Sequence, residues 1–145
     1  MKQQNKIFVY GFIAFVIFYV ALIAYAHNGD KLLYKNARYI TATVLKNTYG
    51  SGNSGAEYKY NVLGERYEAW NYTDKRAIEG ERYFIIYNKN NPQNSELFLD
   101  CPVPDTLIDI PKEGWDKIPV PEYQKKVDSI FDKRLNGWLT QFFPR

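Results

Sequence analysis

A run of twenty residues without a charge, Ile7 to Ala26 (IFVYGFIAFVIFYVALIAYA), constrains this chain more than any other feature. It holds no proline and one glycine, and as a helix rising ~1.5 Å per residue it would reach about 30 Å, the thickness of a bilayer's hydrocarbon core. Lys2 and Lys6 precede it, and Asp30, Lys31, Lys35 and Arg38 follow it, so the apolar run is sharply bounded. Two readings compete. In one, the run is a transmembrane signal-anchor that stays. In the other it is a secretory signal cleaved after Ala26, because Ala24-Tyr25-Ala26 has the small-x-small form of a cleavage site and Lys2 and Lys6 supply a basic leader. Length favours the anchor, since the apolar core of a signal is about 7–15 residues. Tyr10 and Tyr25 stand near the two ends, where amphipathic rings prefer the headgroup zone. A buried core helix is disfavoured, because no other segment is apolar enough to surround a helix hydrophobic on every side. Basic residues are nearly balanced across the run, and the signal-like start tips the expected orientation: residues 1–6 cytoplasmic, 7–26 in the membrane, the domain extracytoplasmic.

The remainder leaves room for one modest domain. The formal charge of +3 is spread through the chain with both signs interspersed, so no basic face marks a nucleic-acid site and no nucleic acid is expected as partner. Cys101 is the single cysteine, which rules out an intrachain disulfide and a multi-cysteine zinc site. No metal and no cofactor is implied. GxxxxGK(S/T) is absent, and the GxGxxG spacing of residues 50–55 leads into another β-type run and opens no helix, which leaves nucleotide chemistry without support. His27 is the single histidine and lies at the membrane boundary, where a headgroup-zone role is the simpler reading. A nucleophile would need it to meet Ser51, Ser54, Ser95, Ser129 or Cys101. Glu65, Glu68, Glu79 and Glu81 alternate with Arg66, Lys75 and Arg82 as on a solvated sheet face, and nothing singles out a glycosidase-type pair. The expectation is a protein without catalysis.

Residues 27–37 read as a polar connector. From 38 to 100 the pattern becomes short β-type runs between turn residues. Arg38–Thr48 places Ile40, Ala42 and Val44 on one face and Tyr39, Thr41, Thr43 and Leu45 on the other. Residues 50–55 (GSGNSG) have no means of packing a core and read as a loop. Tyr58, Tyr60 and Val62 alternate with Lys59 and Asn61. Leu63-Gly64 turns the chain into Glu65–Tyr72, with Gly64 alone expected left-handed because leucine resists a positive φ. Asp74–Gly80 reads as a polar connection with one helical turn. Arg82–Asn88 is apolar on both faces and should be the most buried strand. Asn90-Asn91-Pro92 marks a turn, and Glu96–Leu99 a short fifth strand. Five strands in meander order predict a mainly β fold: a small five-stranded antiparallel barrel, SH3-like or OB-like, behind an N-terminal transmembrane helix.

The order TATV, YKYNVLGERY, a glycine before a strand, then YNKNNPQNSEL resembles the bacterial family filed as domain of unknown function 3592. The likeness rests on Val44, Tyr58, Tyr60, Val62, Gly64, Tyr67, Gly80, Tyr87, Asn91, Pro92 and Ser95, and covers roughly residues 38–100. It implies a membrane-tethered small β-domain and no known activity. Family members often continue into further membrane helices, and no such run follows here.

Residues 101–121 form a proline-rich segment, expected as an extended strap over the barrel with Leu107, Ile108, Ile110 and Trp115 available to pack. Residues 122–143 predict an amphipathic helix. Tyr123, Val127, Ile130, Phe131, Leu135, Trp138, Leu139 and Phe142 recur at three- and four-residue steps, with charges mostly opposite. The stripe either docks on the barrel, or seats Trp138, Leu139, Phe142 and Phe143 in the headgroup layer, or meets a partner helix. Trp70, Tyr72 and Trp115 are the candidate ligand surface near the 50–55 loop, set against burial, the commoner fate of large rings. The functional expectation is an anchored binding or assembly module contacting lipid through Ile7 to Ala26 and an unidentified protein partner. The alternatives are a secreted binding or inhibitor protein released after Ala26, and a hydrolase with paired carboxylates.

Overall fold

The computed structural model describes residues 2–48 and 54–142, with side chains from Lys6 to Thr48 and from Ser54 to Gly137. Helix α1 spans Lys2–Lys35, followed by strands β1 (Ala37–Thr48), β2 (Gly55–Val62), β3 (Glu65–Tyr72), β4 (Arg82–Asn88) and β5 (Asn91–Pro102), and helix α2 (Pro121–Phe142). The protein is mainly β: a five-stranded antiparallel sheet curled into a half-barrel between two helices. From Lys6 to Ala26 every side chain of α1 is exposed. The stretch Lys6–Lys35 is long and apolar enough to cross a membrane.

The connector expected over 27–37 is helical as far as Lys35. Its residues are not merely polar. Leu33 is buried against the domain, Tyr34 stacks on Phe131 with ring centroids 5.0 Å apart, and the Tyr34 hydroxyl donates to Asp128 Oδ1 at 3.1 Å. Packing at the far end lets α1 run unbroken into the domain, and Asn36 alone separates it from β1.

The strand order is β3-β2-β1-β4-β5. The expected meander is therefore broken once, since β4 pairs with β1 and not with β3. The cause is the length and shape of β1. Its first half, Ala37 to Thr43, pairs with β4, and its second half, Thr43 to Thr48, pairs with β2. An irregularity between Val44 and Lys46 lies where the two pairings exchange. Such a bulge bends a strand and increases its twist, which curls the sheet. Residues 73–81 carry the chain from β3 across to β4 on the far side of β1 without forming the expected helical turn. They are held by the Ala77 amide on Asn47 Oδ1 and the Gly80 amide on the Val44 carbonyl. Strand β5 is longer than Glu96–Leu99: Asn91 already pairs with Asn88, Pro102 pairs with Tyr83, and the turn is Lys89-Asn90.

The face assignments hold. Ile40, Ala42 and Val44 join Tyr58, Tyr60, Val62, Ile85, Tyr87 and Leu97 in a concave core. Tyr39, Phe84 and Ile86 point to the opposite face, where Leu33, Val127 and Phe131 cover them. Strand β4 feeds both cores and is buried along nearly its whole length. The Leu63-Gly64 turn differs from expectation: Leu63 adopts φ +52° beside Gly64 at +88°. Val62 pairs directly with Glu65, and a two-residue hairpin that matches strand twist asks for positive φ at both central positions.

Candidate functional site

The strap residues settle first, because they decide what Trp115 can do. Gly114 has φ +70°, and a Cβ there would collide with the Tyr39 carbonyl oxygen. Glycine thus lets the strap approach β1 closely enough for a two-bond bridge: Tyr39 N–H to Trp115 O at 2.9 Å and Trp115 N–H to Tyr39 O at 2.7 Å. The Trp115 ring then meets Phe84 edge-on, centroids 5.9 Å apart. Trp115 is partly buried and packs against the convex core. Leu107 packs on the same convex core and Ile110 on the concave one, while Ile108 stays 83% exposed. The strap also takes the Tyr87 hydroxyl on the Glu113 carbonyl at 2.6 Å and the Leu63 amide on the Lys112 carbonyl at 2.8 Å.

Trp70 and Tyr72 behave differently. They project from the outer face of β3, 42% and 72% exposed, with rings in edge contact at 4.5 Å. Trp70 lies over Gly55, where any Cβ would run into the indole. Thr48, Gly55 and Tyr72 are aligned across three strands, so this pair marks the end of β1 opposite to its junction with α1. The expected proximity to the 50–55 loop holds for Gly55; residues 50–53 lie outside the described residues.

A polar node closes the half-barrel. Tyr60 shares its hydroxyl proton between the Pro92 carbonyl at 2.6 Å and Ser95 Oγ at 3.0 Å. Ser95 Oγ lies 2.9 Å from the Tyr58 hydroxyl, which donates to Asn71 Oδ1 at 2.6 Å. The same Asn71 oxygen accepts the Leu97 amide at 2.9 Å, so β3 and β5 are joined through side chains where no ladder forms. Burial pushes the Tyr58 hydroxyl well above the ordinary tyrosine value. In the sequence Tyr58 and Tyr60 read as alternating strand residues, Pro92 as a turn residue and Ser95 as one serine among several; here they form one hydrogen-bonded unit whose role is structural.

Several of the groups with chemical potential have partners. Ser95 Oγ is held between two tyrosines, and the buried Cys101 thiol is pushed up to about 11, first of all by burial, which leaves little thiolate at neutral pH. Glu65 accepts from the Tyr67 hydroxyl, Glu68 pairs with Arg66, and Glu79 accepts the Asn47 amide. Among the described residues no group of three or more His, Cys, Asp and Glu could hold a metal ion.

Sequence reasoning passed over Arg134 and Gln124. Arg134 forms a two-pronged pair with Glu96 of β5, at 2.7 and 2.8 Å, and lies 3.8 Å from Asp30 of α1. It joins three elements, and the Glu96 carboxylate raises its pKa further. Gln124 accepts the Ile118 amide at 2.7 Å and donates to Asp128 at 2.7 Å, fixing the strap to the start of α2. Nothing in sequence spacing distinguishes these from other polar residues on a helix face. Docking of α2 holds for Tyr123, Val127, Ile130, Phe131 and Leu135. The side chains of Trp138, Leu139 and Phe142, and all of Phe143, lie outside the described residues.

In comparisons with profiles of known protein families, with curated proteins and with solved structures, the chain finds no match.

Proposed function

We propose that this protein is a single-pass membrane module that acts by contact and not by catalysis. Residues 1–6 lie in the cytoplasm, Ile7 to Ala26 cross the bilayer, and the half-barrel stands outside. The observation that carries this reading is the exposure of every α1 side chain from Lys6 to Ala26 on a helix whose last turns are clamped to the domain. Apolar surface is unfavourable in water by about 25 cal/mol for each Å² exposed, and a lipid environment removes the cost. The clamp also bears on the cleaved-signal alternative. Ala24-Tyr25-Ala26 lies within continuous helix only a few residues before the Asp30–Arg134 contact, which supports retention of the leader. Trp70 and Tyr72, at the end of β1 away from the anchor, are the surface we assign to a protein partner. Rings that are rigid, half-exposed and amphipathic are the usual anchors of such contacts.

Alkaline extraction of membranes followed by mass determination of the mature N-terminus tests the reading. Retention in the pellet with Met1 or Lys2 as first residue is the expected outcome. A chain that washes off and begins at His27 would replace the anchored module with the secreted one.

A further inference from the structure

We propose that the last turn of α2, Trp138 to Phe142, enters the headgroup layer beside α1, so that the domain rests on the bilayer at a second point. The inference depends on the anchored reading above and adds a depth to it. The two helices are antiparallel where they touch: Tyr34 meets Asp128 and stacks on Phe131, whereas Asp30, one turn nearer the N-terminus, meets Arg134. Each further residue advances either helix by about 1.5 Å, so α2 continues down α1 towards the apolar run. On that register Trp138 comes level with roughly Ala26 and Phe142 with roughly Leu22. The helix is continuous to Phe142, and Ala26 is the last residue of the apolar run. On this register the end of α2 comes level with the end of the apolar run, at the boundary between lipid and water.

Composition changes at the same place. Residues 127–135 of the stripe are spent on the convex core, yet the three- and four-residue spacing continues through Trp138, Leu139 and Phe142. No acidic residue follows Asp132, while Lys133, Arg134 and Arg145 are basic. Apolar residues including tryptophan, with the cation of Lys133 just before them in the chain, suit the zone between acyl chains and phosphates.

The test uses the full chain in nanodiscs of phosphatidylcholine and phosphatidylglycerol brominated high on the acyl chain, with tryptophan emission as readout. Bromolipid should quench the wild-type chain, W138F should lose at least half of that quenching, and W70F should keep it. W138Y serves as a second variant if phenylalanine perturbs the helix. Quenching that survives both Trp138 substitutions in an inserted chain would overturn this inference and leave the anchor standing. Failure of the chain to enter the nanodisc at all would overturn the anchor, and this inference with it.

Discussion

Tyr58, Tyr60 and Tyr87 fill the concave face of the sheet with rings whose hydroxyls end on polar partners, whereas Phe84, Ile86 and Phe131 fill the convex face with side chains that carry none. The concave core is closed largely by the sheet itself, through the Asn71–Ser95 node, with the strap and Ala77 at its margins. The convex core has no sheet to oppose it and is covered by the end of α1, by α2 and by the strap. The difference has a mechanical meaning. Whatever loosens the concave face opens a barrel; whatever loosens the convex face disconnects the domain from its membrane helix.

Truncating a convex ring is the most direct way to break that contrast. Phe131 is fully buried and touches Tyr34 of α1, so Phe131→Ala should cost about 3–5 kcal/mol in chemical denaturation of the micelle-bound chain. It should also free the end of α1, seen as faster amide exchange over residues 30–35. Loss of stability without faster exchange there would mean that the two helices are not coupled through this core. Gly114→Ala comes next. Its Cβ would collide with the Tyr39 carbonyl and its φ is unfavourable for alanine, so about 2–3 kcal/mol should be lost together with the Tyr39–Trp115 bridge. Gly80→Ala is the control, with φ +84° but open space around it, and should cost about 1–2 kcal/mol, the left-handed penalty alone.

On the concave face the hydroxyls are the point of attack. Tyr58→Phe keeps the ring and removes two hydrogen bonds, for an expected loss of about 1 kcal/mol near neutral pH. The pH dependence gives a second readout. Burial raises the hydroxyl pKa of Tyr58, and of Tyr39 and Tyr60, above the unfolded value of 10.0, so the folded state holds these protons more tightly. Their contribution is fully present below pH 10 and is lost as pH rises through the folded values, at up to about 1.4 kcal/mol per pH unit for each tyrosine. Tyr58→Phe should therefore flatten the alkaline limb of a melting-temperature profile. An unchanged limb would assign the alkaline sensitivity to other groups.

Much of this organisation was legible because alternation and apolar run length report directly on burial. Ile40, Ala42 and Val44 against Tyr39, the doubly buried β4 and the apolar α1 all follow from period alone. What period does not carry is pairing between distant segments. Whether β4 lies beside β1 or β3 depends on how residues 73–81 cross, and that is set by single bonds such as the Gly80 amide on Val44. The helical continuation over 27–35 was missed because its stabilising contacts, Leu33 in the convex core and Tyr34 on Phe131, come from residues about a hundred positions away. Trp115 was grouped with Trp70 on chemistry, and only the docking of Gly114 separates them. The alternation of Tyr58 and Tyr60 reports a strand face, but joining them to Ser95 in one polar node needs the barrel's curvature.

The smallest expected effect concerns Leu63, where sequence and structure disagree most locally. A leucine at φ +52° carries a left-handed penalty of about 1–2 kcal/mol, and the two-residue turn between Val62 and Glu65 holds it there. Its amide is occupied by the Lys112 carbonyl, a backbone bond that any non-proline residue can keep. The side chain is 67% exposed, so little burial is lost on replacement. Asparagine tolerates the left-handed region, and Leu63→Asn should stabilise the domain by about 0.5–1 kcal/mol, read as a higher denaturation midpoint with unchanged slope. Leu63→Gly should gain less, because glycine adds freedom to the unfolded chain while relieving the same strain. If both substitutions instead lower stability in the assembled protein but raise it in the isolated micelle-bound chain, the strained leucine is held out for a partner. The hairpin tip would then join Trp70 and Tyr72 as part of what this domain presents.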